Sequence, residues 1–291
     1  MNGYFSSIGF KGFSKEEFDN YLYDEALKDP DVVTKAIDLD GNEITELRKE
    51  VAGGMGICMR GYFRKDDQFI MDYYFPYREA SNTSNGIPTN VIPQTDREGF
   101  FGLCDDVRIG VDLIYFIQDM MPILMSDQRG LKEVFFGGSS FMALSNGGKI
   151  LLPIMKKAGD EQKKLENVQK RSKLVAAAKN GDERAYEELT VNDMDLYNSL
   201  SKRLSNESLY EIVDTSFMPS GIESDKYSVI GEILNVRKFM NKRTRQFIYD
   251  LTLQSDSMIY GVCINEKDLL GEPEIGRRFK GDVWLQGKVN A

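Results

Sequence analysis

Histidine is absent from the 291-residue chain. Without an imidazole, the chain's own residues cannot supply a Ser-His-Asp triad, a Cys-His pair or a histidine-ligated metal site. Cysteine is scarce. The three cysteines, Cys58, Cys104 and Cys263, lie more than forty positions apart with no C-x-x-C pair. An odd, sparse count excludes a disulfide scaffold and a structural zinc site, and reads as reduced core thiols of a cytoplasmic protein. Long apolar runs are missing too. Stretches such as 113–116 and 150–152 fall far short of the ~20 residues that a membrane helix needs. The opening Met1-Asn2-Gly3-Tyr4-Phe5-Ser6-Ser7 has no basic segment followed by an apolar core, so no secretory leader is expected.

What is present is ordinary globular composition, 41% hydrophobic and 29% charged, at a length suited to about two domains. The net charge of −9 disfavours nonspecific attachment of the whole chain to nucleic acid. That charge is polarised. Residues 226–291 carry 11 cations against 8 carboxylates, so the acidity lies upstream.

Residues 1–155 read as an antiparallel sheet with helices. Ser14 with Glu17 forms a capping box ahead of Phe18, Tyr21 and Leu22 at helical spacing. Asp40-Gly41 marks a tight turn. In the next segment Ile44, Leu47 and Val51 are spaced as in a helix. Stretches 55–63 and 68–77 are aromatic and β-branched, and a hairpin is expected through Arg64-Lys65-Asp66-Asp67. Residues 80–99 read as a long polar loop. A strand is expected over 107–118, then a second hairpin, 133–144 with 149–154, turning at Asn146-Gly147-Gly148.

Composition shifts after Pro153. Residues 156–179 carry eight cations against three carboxylates, with Leu165, Val168 and Val175 on one helical stripe. Asn180-Gly181 breaks that helix. Asp182 caps the next, with Ala185, Tyr186 and Leu189 inward, and Thr190 with Asp193 resembles a further cap. With a short helix at 207–213, residues 156–225 form a helical connector. From Lys226 strands return, at 227–239 with Gly231 allowing a bend, 246–254, 258–264 and 279–289, with a helical insert at 266–270. The order strand, strand, strand, helix, strand over residues 226–291 is OB-like. Such a barrel needs a fifth strand, and 217–222 is a candidate to close it. The fold class is thus α+β: an N-terminal antiparallel sheet domain with helices, a helical connector and a C-terminal OB-like antiparallel β-domain.

Several stretches resemble an uncharacterised domain-of-unknown-function family of cytoplasmic proteins from clostridial, Lachnospiraceae-type bacteria. They are Ile212-Val213-Asp214-Thr215-Ser216-Phe217-Met218-Pro219-Ser220-Gly221-Ile222-Glu223-Ser224-Asp225-Lys226-Tyr227-Ser228-Val229, the opening Ile8-Gly9-Phe10, and Asn180-Gly181-Asp182-Glu183. The resemblance runs along most of the chain. It implies no activity, cofactor or catalytic residue.

Chemical motifs are few. Gly53-Gly54-Met55-Gly56 lacks the third glycine of a dinucleotide fingerprint and precedes a strand instead of opening a helix. Gly147-Gly148-Lys149 is followed by Ile150, where a phosphate loop needs Ser or Thr. Both are turn glycines. The carboxylates Asp105, Asp106 and Asp112 form the best cluster for a hard metal ion, but neighbours on a strand point to opposite faces. Cys104 as a nucleophile would lack a histidine base.

The sharpest signal is Arg237-Lys238-Phe239-Met240-Asn241-Lys242-Arg243-Thr244-Arg245, with five cations and no anion, placed at the turn joining the first two strands of the last domain. In OB-folds that loop grips single-stranded nucleic acid. On the last strand Phe279, Gly281, Val283 and Leu285 share one face, and Lys280, Asp282, Trp284, Gln286 and Lys288 share the other. The single Trp is then a stacking platform flanked by lysines, or it packs against another part of the chain.

The sequence therefore reads as a non-catalytic cytoplasmic binding or scaffolding protein without a cofactor. Its candidate nucleic-acid contacts are Arg237, Lys238, Lys242, Arg243, Arg245, Lys280, Trp284 and Lys288. Two alternatives stand beside it. One is a protein-interaction or self-associating module using a strand edge or the patch Tyr73, Tyr74 and Tyr77. The other is a carboxylate-dependent hydrolase at Asp105, Asp106 and Asp112.

Overall fold

The computed structural model describes residues 3–38, 40–80, 88–94, 99–106, 111–125, 134–154, 170–171, 173–204, 213–256 and 258–290. Strands dominate it, in an antiparallel four-stranded sheet and a larger sheet that contains a five-stranded barrel.

A 3₁₀ segment (Gly3–Ile8) leads to α1 (Lys15–Tyr21), which a π-helical turn (Leu22–Ala26) extends. The expected capping box is present: Glu17 N donates to Ser14 Oγ at 3.2 Å, and Ser14 N donates to Glu17 Oε2 at 2.9 Å. The first sheet is an antiparallel meander of β1 (Val32–Ile37), β2 (Glu43–Ala52), β3 (Met55–Phe63) and β4 (Phe69–Arg78). The β3–β4 hairpin forms as expected, with Asp67 in the left-handed region at its turn (φ 60°). The helical spacing of Ile44, Leu47 and Val51 is misleading, because β2 is a strand buried on both faces. Ile44 joins one apolar core, while Leu47 and Val51 join another. A strand with two buried faces loses the alternation that would identify it.

Of the stretch 80–99, residues 81–87 and 95–98 lie outside the described residues, and Thr89–Pro93 is a strand, β5. It pairs with β6 (Phe100–Asp106), which pairs with β7 (Val111–Ile117). A short helix, α2 (Met121–Met125), and β8 (Val134–Phe136) follow.

The expected hairpin around Asn146-Gly147-Gly148 does not form. Residues Gly138–Leu151 are one continuous strand, β9. The glycines serve close packing here. A Cβ on Gly148 would lie 2.4 Å from the Phe279 ring, and one on Gly281 would lie 2.7 Å from the Gly147 carbonyl oxygen. Bare backbone therefore lets β9 lie against the last strand.

Between β9 and the final strands, residues 173–179 are helical and α3 spans Glu183–Leu204. Gly181 (φ 89°) separates them, and Asp182 Oδ1 accepts from the amides of Arg184 (3.0 Å) and Ala185 (3.3 Å), as a cap should. Thr190 does not start a further helix. It lies inside α3, and its hydroxyl donates to Tyr186 O at 2.9 Å. Ala185 is buried as expected, but Tyr186 is exposed. Residues 155–169 and 205–212, which hold most of the predicted basic helix and of the helix at 207–213, lie outside the described residues.

The closing strands are β10 (Ser216–Pro219), β11 (Lys226–Met240), β12 (Phe247–Ser255), β13 (Met258–Asn265), β14 (Leu269–Leu270) and β15 (Arg278–Asn290). The predicted insert at 266–270 is one 3₁₀ turn, Glu266–Asp268, followed by β14. β11 pairs with β15 over residues 226–232 and with β12 over 232–240, and its register shifts between Ile233 and Asn235. The pairings β11–β12, β12–β13, β13–β9, β9–β15 and β15–β11 close a ring of five. β13 and β9 run parallel, while the other four pairs are antiparallel. The strand that closes the ring is β9, not 217–222. β10 instead pairs with the first half of β11, on the edge opposite β15. One barrel is thus assembled from both sides of the segment 156–225.

Val229, Ile233, Leu251, Leu253, Val262, Phe279, Val283 and Leu285 belong to the core inside the barrel. A second core joins the outer side of the barrel to the first sheet and the N-terminal segment. It includes Phe5, Ile8, Ile57, Met59, Phe75, Phe116, Leu144, Ile248, Cys263 and Trp284.

Candidate functional site

The predicted cationic turn does join β11 to β12. Its shape comes from Asn241, whose side-chain oxygen accepts from Arg243 N (2.8 Å) and Thr244 N (2.9 Å). Arg245 adopts a left-handed conformation (φ 59°) and donates its amide to Asn241 O at 2.9 Å. The turn is docked onto the N-terminal layer. Asn241 Nδ2 donates to Ile8 O (2.7 Å), Thr244 Oγ1 to Gly9 O (2.6 Å) and Lys242 N to Val51 O (2.8 Å). Gly53 has φ 34° and faces the Phe239 ring, which a Cβ there would meet at 2.4 Å.

The five cations have different surroundings. Arg237 shares the buried Asp250 carboxylate with Arg78, at 2.8 and 3.0 Å, so its charge is committed to the joint between the layers. Lys238 pairs with Glu266, Lys242 with Glu50 (3.2 Å) and Arg243 with Glu25 (2.8 Å), and both partners are solvent-exposed in each pair. Arg245 is exposed, with no carboxylate in ion-pair range among the described residues.

Trp284 is 6% exposed and is not a stacking platform. Its Nε1–H donates to Asp225 Oδ2 at 2.7 Å, and its ring packs against Tyr4, Phe75 and Phe116. The alternation on β15 misleads because the first sheet covers the face expected to be polar. Gln286, on that face, is also fully buried, accepting from Gln118 Nε2 at 2.9 Å and donating to Pro76 O at 2.9 Å. Lys280 and Lys288 do not converge on the turn. Lys280 lies opposite Lys149 and Ile230, and Lys288 opposite Ser140, beyond the end of β11 that is farthest from the turn.

Other candidates are dispersed or enclosed. Asp105 and Asp112 face each other across β6 and β7 and Asp106 lies opposite Val111, but the side chains of Asp105 and Asp106 lie outside the described residues. Cys104 is buried, with its sulfur 3.0 Å from Thr89 Oγ1. Tyr73, Tyr74 and Tyr77 form no open patch: Tyr77 is buried, Tyr74 stacks on Phe18 and the Tyr73 hydroxyl accepts from Arg60 Nη1 at 2.6 Å.

Two features escaped the sequence reading. One is a buried charge cluster where the first sheet meets the end of β7 in the larger sheet. Glu46 accepts from Arg60 Nε (2.6 Å) and Arg48 Nε (2.7 Å), while Arg60 Nη2 and Arg48 Nη2 donate to Gln118 O at 2.8 and 3.0 Å. Arg60 is 0% exposed and lies over the Phe75 ring, 4.9 Å from its centroid. Burial opposes ionisation of Glu46, but the two guanidinium groups outweigh it and hold the carboxyl below its usual range. Burial also raises the Cys58 thiol and lifts the Tyr73 hydroxyl to about 12. These charges satisfy one another between the layers.

The second feature lies on the hairpin itself. Met240 and Phe247 are cross-strand partners, 41% and 44% exposed, and Lys238 Nζ lies 4.7 Å from the centre of the Phe247 ring. The signal was in the sequence, since Phe247 follows the basic turn by two positions, but which face of β12 is open depends on where the barrel ends.

Among the described residues no helix is long and apolar enough to cross a membrane, and no group of three or more Cys, Asp or Glu is placed to hold a metal ion. No curated protein and no solved structure matches the chain. A family model does match, over residues 5–287, described as "Domain of unknown function, E. rectale Gene description (DUF3881)". With nearly its whole length inside that match, the chain belongs to this family of unknown function.

Proposed function

We propose that this is a non-catalytic cytoplasmic binding protein that takes single-stranded nucleic acid along the β11–β12 hairpin of an OB-like barrel, with residues 156–225 as a largely helical connector. The ring order supports the OB-like reading. β11, β12 and β13 form a meander, β15 returns beside β11, and β9 takes the fifth place parallel to β13. In such barrels the outer face of the second and third strands and the loop between the first two strands meet the ligand. Here the chain's own first sheet covers Ile248, Asp250 and Cys263 on that face, which leaves the hairpin.

The observation that carries the reading is the state of the hairpin cations. Lys238, Lys242 and Arg243 make surface ion pairs, and Arg245 has no carboxylate in range among the described residues. Exposed pairs are worth only ~0–1 kcal/mol each, so phosphates can replace the carboxylates at little cost.

The test is binding of labelled single-stranded RNA and DNA to the intact protein across a salt series. Reversing charge with Arg243→Glu and Arg245→Glu should weaken binding and reduce the slope of log K against log salt by about 1.4, at about 0.7 for each phosphate no longer neutralised. Absence of any affinity at low salt overturns the proposal.

A further inference from the structure

The hairpin extends past the point where the barrel closes. β15 leaves β11 at Glu232, but β11 and β12 stay paired as far as Met240 and Phe247. By alternation Val236, Lys238 and Met240 share one face with their partners Leu251, Tyr249 and Phe247. Lower on the hairpin, this face belongs to the barrel core: Leu251 and Tyr249 are buried in it and Val236 packs against it. At the tip Met240 and Phe247 on this face meet solvent.

Other aromatic rings near the cationic turn are occupied. Phe239 fills the space over Gly53, Tyr249 is 7% exposed and Tyr21, beneath the Arg243 guanidinium, is buried. Phe247 differs: it keeps an accessible ring with an ammonium group beside it, and Arg245 stands two residues away. An aromatic face next to cations is what an unpaired base and its flanking phosphates require. A peptide strand would add along the outer edge of β11 beyond Ile233, whereas the exposed ring and its neighbouring cations lie on the face of the hairpin, where a base stacks.

We infer that Phe247 is the base-stacking residue of this protein, with Met240 beside the stacked base and Lys238 and Arg245 holding the adjoining phosphates. This inference rests on the nucleic-acid reading above and replaces Trp284 in the role that the sequence suggested. Stacking is tolerant of base identity, so the ligand class is single-stranded RNA or DNA of mixed sequence, not duplex, whose bases are already stacked.

The experiment is fluorescence anisotropy of a fluorescein-labelled single-stranded oligonucleotide titrated with the full chain at low salt. Wild type is compared with Phe247→Leu, which keeps aliphatic packing but removes the π face, and with Phe247→Tyr, which keeps it. Circular dichroism melts of each variant check the fold. The expected result is a loss of about tenfold in affinity for Phe247→Leu and near-wild-type affinity for Phe247→Tyr. A photo-crosslink from a 5-bromouridine oligonucleotide should map to the peptide containing Phe247. If wild type binds and both variants bind equally well, the stacking assignment is overturned while the nucleic-acid reading stands. A crosslink confined to another part of the chain overturns the assignment in the same way. If wild type binds no oligonucleotide, the nucleic-acid reading fails and this inference with it.

Discussion

Replacing Glu46 by glutamine tests whether the buried charge cluster locks the first sheet to the larger sheet. The carboxylate sits between two guanidinium groups, 2.6 Å from Arg60 Nε and 2.7 Å from Arg48 Nε. A glutamine of the same shape has one acceptor oxygen. Its amide N–H would point at a guanidinium N–H, and the compensating charge is gone. Arg60 is 0% exposed and cannot turn to solvent. Its other partners, Tyr73 OH, Gln118 O and the Phe75 ring, carry no formal charge. Breaking a buried pair on one side costs about 3–5 kcal/mol. At ~2–4 °C for each kcal/mol in a chain of this size class, Glu46→Gln should lower the melting temperature by roughly 10 °C. Arg48 is better placed, since it also has Asp119 at 3.6 Å and partial exposure.

The assay is thermal and urea unfolding at neutral pH, for wild type, Glu46→Gln and the double variant Glu46→Leu with Arg60→Met. The double variant removes both deeply buried charges and should regain much of the lost stability. The acid limb supplies a second readout. Because the folded-state pKa of Glu46 is depressed, its contribution is complete above the unfolded value of about 4.3 and is lost as pH falls through the folded value. Wild type should therefore lose stability on acidification more steeply than Glu46→Gln. A Glu46→Gln protein within about 0.5 kcal/mol of wild type, with an unchanged acid limb, would refute the claim that these charges are desolvated and mutually dependent.

Two further outcomes follow from the packing. The single tryptophan, held by Asp225 and three aromatic rings, should emit as a buried indole, resist acrylamide quenching and not respond to oligonucleotide; a solvent-like emission maximum would contradict the Trp284 geometry. A fragment spanning 213–291 should not fold alone, because β9 supplies the strand between β13 and β15 and leaves two open barrel edges when absent; a cooperative melt of that fragment would show that the ring does not need β9.

Local chemistry made much of this architecture legible. The Ser14–Glu17 box, the β3–β4 hairpin, the Asp182 cap and the three-strand meander of β11, β12 and β13 all rest on contacts close in sequence, where residue type and spacing decide the outcome. The position of the cationic turn was legible for the same reason. Only the tertiary structure decided which faces are covered. Ile44, Leu47 and Val51 imitate a helix, and Trp284 and Gln286 imitate an open polar face, because a strand sandwiched between two layers is buried on both sides and carries no alternating signal. The fifth barrel strand comes from residues 138–151, dozens of positions upstream of the meander, and no local pattern encodes such a pairing. Glu46 and Arg60 are register partners on β2 and β3 only 14 positions apart, but the burial of their pair beneath Gln118 and Phe116, like the choice of Phe247 over Trp284 as the exposed ring, was set by distant segments. The chain's local propensities set the elements, while long-range burial chose which of their side chains meet solvent.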